Sequence, residues 1–123
     1  MTDKPILQPG ADHPITVEPD PNRVTVTRNG HTIASSERVL TLREAAYPAA
    51  QYIPFEDVDA SLLQATEHLT YCPCKGDANY DSLVIDEDTS ENTVWQYGSP
   101  YEAVAPIAGH VAFYPDRVQI SEG

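Results

Sequence analysis

The stretch Arg23–Ser36, RVTVTRNGHTIASS, constrains the fold more than any other segment of the chain. Val24 and Val26 alternate with Thr25 and Thr27, the pattern of a half-buried strand. Asn29-Gly30 then supplies the two positive-φ positions of a type I′ turn, and His31-Thr32-Ile33-Ala34 returns. A hairpin is therefore expected here, with Val39, Leu40 and Leu42 continuing the β region as a third strand until Tyr47-Pro48 ends the run, because proline cannot donate to a ladder.

Further short strands are expected at 51–53, 80–86, 93–97, 109–114 and 117–120, each bounded by Gly, Pro, Asn or Asp. Residues 87–92, EDTSEN, read as an exposed hairpin loop, and 101–109 as a helical turn interrupted by Pro106 or as a loop. In EDVDASLLQATEHL, Val58, Leu62, Ala65 and Leu69 recur at spacings of four, three and four, which predicts one short amphipathic helix. Many strands in hairpin order with a single helix exclude parallel α/β folds, whose crossovers need more helices. The expected architecture is mainly β: a small antiparallel two-sheet domain or barrel with one short helix. Residues 1–14, rich in proline, read as an extended N-terminal arm, and 15–123 as a single domain.

Composition narrows the function classes. A chain of 123 residues holds one modest core, and Leu, Ile, Val and Phe make up only about a fifth of it. The 19 acidic residues against 7 basic ones give a net charge of −12, which repels a phosphate backbone and argues against nucleic-acid binding. No run approaches the roughly 20 apolar residues of a membrane span. The N-terminus lacks the basic and apolar regions of a secretory signal, so a cytoplasmic protein with no membrane association is expected. Neither structural zinc nor another cofactor is expected, since the chain offers one C-x-C and four scattered histidines, His13, His31, His68 and His110.

The residues most capable of chemistry cluster in CPCKGDANYD, 72–81, read as a loop between the helix and a strand. Cys72 can serve as a nucleophile if Lys75 or His68 lowers its thiol pKa, so Cys72 and Lys75 are the catalytic candidates; Cys72 as a small buried hydrophobe is the plainer alternative. Lys75-Gly76 lacks the glycine spacing and following hydroxyl of a phosphate loop. Seven tyrosines and a single tryptophan against two phenylalanines suit either wet core margins or a ring-walled pocket. The pocket reading takes Tyr52, Tyr80, Trp95 and Tyr97 as walls and Arg43, Glu44 and Lys75 as polar fixtures. Arg43 and Glu44 are consecutive in a strand, so at most one of them sees a given face. Trp95 and Tyr97, two apart, share one.

The blocks HPITVEP, VTVTRNGHTIASSERVLTLREAAYPAAQYIPFEDV, CPCKGDANYDSL, NTVWQYGSPYEAV and IAGHVAFYPDRV, in this order, resemble the family known as domain of unknown function 427, over about residues 13–120. The resemblance implies a small antiparallel fold similar to the two-sheet β-tent of methionine sulfoxide reductase B and the cereblon ligand-binding domain. It also marks Glu44, Tyr52, Cys72, Lys75, Gly76, Tyr80, Trp95, Tyr97 and Tyr114 among its pattern positions. Two positions depart: Cys74 stands where the family has Tyr or Phe, and Asp81 where it has Trp, which is expected to remove an aromatic wall. The label "nucleotidyltransferase-like" attached to the family finds no motif here, because that chemistry expects clustered carboxylates for Mg²⁺ beside a phosphate loop. The sequence thus points to a pocket for a small polar or anionic ligand, with a Cys72 thiol enzyme or a protein-interaction module as alternatives; oligomeric state and any reaction stay open.

Overall fold

A computed structural model describes residues 9–10 and 14–123. The arm expected over 1–14, with His13, falls almost wholly outside the described residues. Ten strands follow in order: β1 (Ile15–Pro19), β2 (Val24–Arg28), β3 (His31–Ser36), β4 (Leu40–Glu44), β5 (Ala50–Pro54), β6 (Leu63–Cys72), β7 (Gly76–Ile85), β8 (Asp88–Tyr97), β9 (His110–Phe113) and β10 (Gln119–Glu122). They build a seven-stranded sheet in the order β1-β4-β5-β9-β8-β7-β6 and a three-stranded sheet β10-β2-β3. Among the described residues all strand pairings are antiparallel, and the sheets do not close into a barrel.

The β2–β3 hairpin turns at Asn29 (φ 51°) and Gly30 (φ 80°), as the sequence predicts. The third strand expected after it forms as β4, which pairs not with the hairpin but with β1 and β5 in the larger sheet, so the chain changes sheets between Ser36 and Leu40. There Ser36 accepts a hydrogen bond from the Arg38 backbone at 3.0 Å, an ST-type turn that redirects the chain.

The helix expected from Val58 to Leu69 is not formed as such. Its first half is two three-residue 3₁₀ turns, Phe55–Asp57 and Ala60–Leu62, the second capped by Asp59 accepting from Ser61 N–H at 3.1 Å. From Leu63 onward the backbone is strand β6. The register explains the false period: Ala65 pairs with Asp81 but Leu69 with Asn79, so a bulge adds two residues to β6 and replaces the spacing of two by one of four. Leu69, expected on a buried helical face, is exposed.

The loop expected at 87–92 is likewise mostly strand. The hairpin turns already after Ile85, with Asp86 at φ 53°, and β8 runs from Asp88 with a bulge where Asn92 takes φ 50°. Residues 101–109 contain a 3₁₀ segment, Glu102–Ile107, that accommodates Pro106.

Both faces of the large sheet are covered. One face packs on the small sheet through Val24, Val26, Ile33, Ile53, Leu83, Val94, Val111 and Phe113. The other buries Leu42, Tyr52, Ala78, Tyr80, Tyr97 and Ala112 beneath Val104 and Ile107 of the 3₁₀ segment. Adjacent residues such as Tyr52 and Ile53, or Ala112 and Phe113, therefore enter different clusters, as strand alternation requires. At roughly 25 cal/mol per Å² of apolar surface, burial of this kind is the main force holding the sheets together.

Candidate functional site

The seam that creates the site is β9. It bonds to β5 only at Ile53↔Val111 and Pro54↔His110, and to β8 only at Val94↔Phe113 and Trp95↔Ala112. Ala50–Tyr52 thus separate from the end of β9, and a cavity of about 1280 Å³ opens beside them. Its walls come from the end of β4 (Leu42, Glu44), the β4–β5 turn and β5 (Tyr47 to Tyr52), and the β6–β7 turn (Cys72 to Lys75). Tyr80, Trp95 and Tyr97 from β7 and β8, Phe113 at the end of β9 with Tyr114 and Pro115 after it, and Ile120 and Glu122 of β10 complete it.

Seven of the expected site residues, Glu44, Tyr52, Cys72, Lys75, Tyr80, Trp95 and Tyr97, border this one cavity. Arg43 does not. It alternates with Glu44 on β4, is exposed, and lies outside the cavity; one residue of a consecutive pair had to face away. Asp81 corrects a second expectation. It follows Tyr80 on β7, projects to the opposite face and is not a lining residue, so an aspartate there removes no wall.

The β6–β7 turn places the polar end. Lys75 N–H donates to Cys72 O at 3.1 Å, and Gly76 follows at φ 110°, a value that glycine adopts without strain. The turn carries the Lys75 ammonium to Glu44, Nζ to Oε1 2.5 Å, with only 13% and 14% of the two side chains exposed. The same nitrogen stands 5.8 Å from the Tyr97 ring centroid, within cation–π range. Cys72 and Cys74 are both free thiols; Cys74 is buried, and that burial raises its pKa. Of the two cations expected to assist Cys72, Lys75 is engaged by Glu44, while the His68 ring packs on Tyr80 with centroids 4.5 Å apart.

The aromatic floor is a bonded network. Trp95 Nε1–H donates to Tyr52 Oη at 3.0 Å, with the rings edge to face. Tyr114 lies 4.5 Å from Trp95 between centroids, and the Tyr80 hydroxyl meets that of Thr70 at 2.9 Å. Burial raises the pKa of three phenols here: Tyr52 and Tyr114 are pushed up to about 12 and Tyr97 higher still. Tyr52, Tyr80 and Tyr97 are nearly enclosed, so Trp95, Tyr114 and Tyr47 expose the larger ring areas.

At the far end Gln51 Nε2 donates to Glu122 Oε1 (2.5 Å) and to Asp20 Oδ2 (3.2 Å). A hydrogen bond from the Asn22 backbone, then one shared with Glu122, lowers the Asp20 pKa; the same contact with Asp20 raises that of Glu122. Sequence reasoning missed Gln51, Cys74, Tyr47 and Glu122 as cavity residues. They arrive through strand order and turn geometry, for which neither composition nor spacing carries a signal. Tyr114, one of the seven tyrosines and a position the family pattern marks, is not among the expected walls.

Fold and site together define a two-sheet antiparallel β protein with a ring-walled cavity opened at a split in its larger sheet. The profile of the family described as a domain of unknown function (DUF427) matches residues 16–122, and the chain belongs to that family. No curated protein matches the chain. Among the described residues no helix is long and apolar enough to cross a membrane, and no group of three or more His, Cys, Asp or Glu side chains is placed to hold a metal ion.

Proposed function

We propose that this protein binds a small polar organic molecule in the cavity between β4–β5 and β7–β8. One observation carries the reading: Glu44, Lys75, Tyr52, Tyr80, Trp95 and Tyr97, from four strands and a turn, border a single hollow. Small-molecule sites have this composition, predominantly apolar walls with a few convergent polar groups. The rings supply flat contact area, while the Lys75–Glu44 pair offers donors and acceptors side by side at one end.

A thermal-shift screen of a metabolite library tests this, because a ligand that binds only the native state raises the melting temperature. Hits are expected to lose their effect in Trp95→Leu. A library that shifts nothing, or hits whose shifts survive unchanged in that variant, would overturn the proposal.

A further inference from the structure

The charges on the cavity wall argue against an anion. Among the described residues Lys75 is the single basic one lining the cavity, and Glu44 already neutralises it. A second carboxylate, Glu122, stands at the other end, so the formal charges of the described wall residues sum to −1. Both N–H groups of the neighbouring Gln51 amide are committed to carboxylates, which leaves that amide no donor for an incoming anion. Asp20 and Arg43, of opposite sign, lie behind the wall, and the charge of Arg43 acts on Glu122 from outside the cavity. Trp95, Tyr114 and Tyr47 line the cavity with the larger exposed ring areas, and aromatic π faces attract cations and repel anions. The net charge of −12 acts in the same direction at longer range.

From these features we infer that the cavity selects organic cations, a ring or compact apolar group bearing an ammonium, over neutral and anionic molecules of the same shape. Trp95, Tyr114 and Tyr47 face the ammonium and Glu122 is its counter-charge. Lys75 fixes Glu44 and does not serve as an anion anchor. This inference rests on the small-molecule reading of the cavity and goes further by naming the ligand's charge.

Three probes that share a ring and differ in the head group, benzylammonium, benzyl alcohol and benzoate, separate the two. Each is titrated into the full chain while the Trp95 indole N–H resonance is followed by NMR. Benzylammonium is expected to bind roughly tenfold more tightly than benzyl alcohol, with benzoate weakest. Tyr47→Leu, at an exposed position, reduces that preference. Glu44→Gln, which removes the carboxylate from Lys75, shifts it toward benzoate. Binding in which benzoate or benzyl alcohol matches benzylammonium overturns the charge selectivity alone. If none of the three perturbs the resonance, the cavity reading falls and this inference with it.

Discussion

The Lys75 ammonium meets the Glu44 carboxylate 2.5 Å away, across 31 residues of sequence, and so ties the β6–β7 turn to the end of β4. The contact closes one end of the cavity: Glu44 ends β4, Lys75 sits in the turn before β7, and β5, β9 and β8 lie between those two strands in the large sheet. It is both a wall of the hollow and a brace between the halves of the sheet that β9 joins through only two residue pairs on each side.

Cutting the brace should cost stability. Lys75→Met leaves a mostly buried carboxylate without its ammonium, at a cost of roughly 2 kcal/mol, between the values for exposed and fully buried pairs. Urea denaturation is expected to show a lower midpoint at unchanged slope. The double variant Glu44→Leu/Lys75→Met recovers most of the loss, since it strands no charge. A single variant as stable as the parent would show that the pair braces nothing.

Tyr52 and Trp95 give a more local test. Tyr52 is 1% exposed, and its hydroxyl accepts the indole N–H. Tyr52→Phe keeps the ring and removes the acceptor, a change of about 1–2 kcal/mol where the donor is left dry. Because Trp95 is the single tryptophan of the chain, its fluorescence reports the site directly. An altered emission spectrum together with reduced stability is expected. If both are unchanged, the hydrogen bond is not a fixture of the cavity floor.

The readable parts of this fold are those set by neighbours in sequence. The Asn29-Gly30 turn demands positive φ at two consecutive residues and fixes the β2–β3 hairpin without help from the rest of the chain. Leu69 shows the converse. A bulge in β6 is a tertiary event, and its four-residue step imitates a helical period so closely that only the pairing with β7 tells them apart. The site divides in the same way. Strand alternation predicts that Trp95 and Tyr97 share a face and that Arg43 and Glu44 do not, and both relations are seen. Which of Arg43 and Glu44 faces inward depends on β4 joining β1 and β5, and nothing within RVLTLRE specifies that.

Gly76 offers a backbone test of the turn that carries Lys75. At φ 110° a side chain is strained, and an added Cβ would lie 3.4 Å from the Ser99 carbonyl oxygen. Gly76→Ala is expected to destabilise by more than about 1 kcal/mol. Gly98→Ala serves as the control, since its φ is ordinary and the nearest atom to its added Cβ is 4.0 Å away. Equal melting temperatures for the two variants would contradict the assignment of strain to the turn.

Ser36 Oγ donates to Asp57 Oδ2 at 2.6 Å and Arg38 to Oδ1 at 3.1 Å, so the hydroxyl first and then the guanidinium hold the Asp57 pKa below the ordinary value of 3.8. The folded protein therefore binds this proton less readily than the unfolded chain. The resulting stabilisation is complete above the ordinary value and disappears as pH falls through the lower, folded one. Asp57→Asn should be less stable than the parent at neutral pH, and the gap should close in acid, where the parent's carboxyl is protonated as well. Comparing urea midpoints of the two proteins at neutral pH and well below 3.8 isolates this group, because Asp20, Glu122 and the other carboxyls titrate in both and cancel. A gap of the same size at both ends would assign the stabilisation to the shape of the side chain and not to its charge.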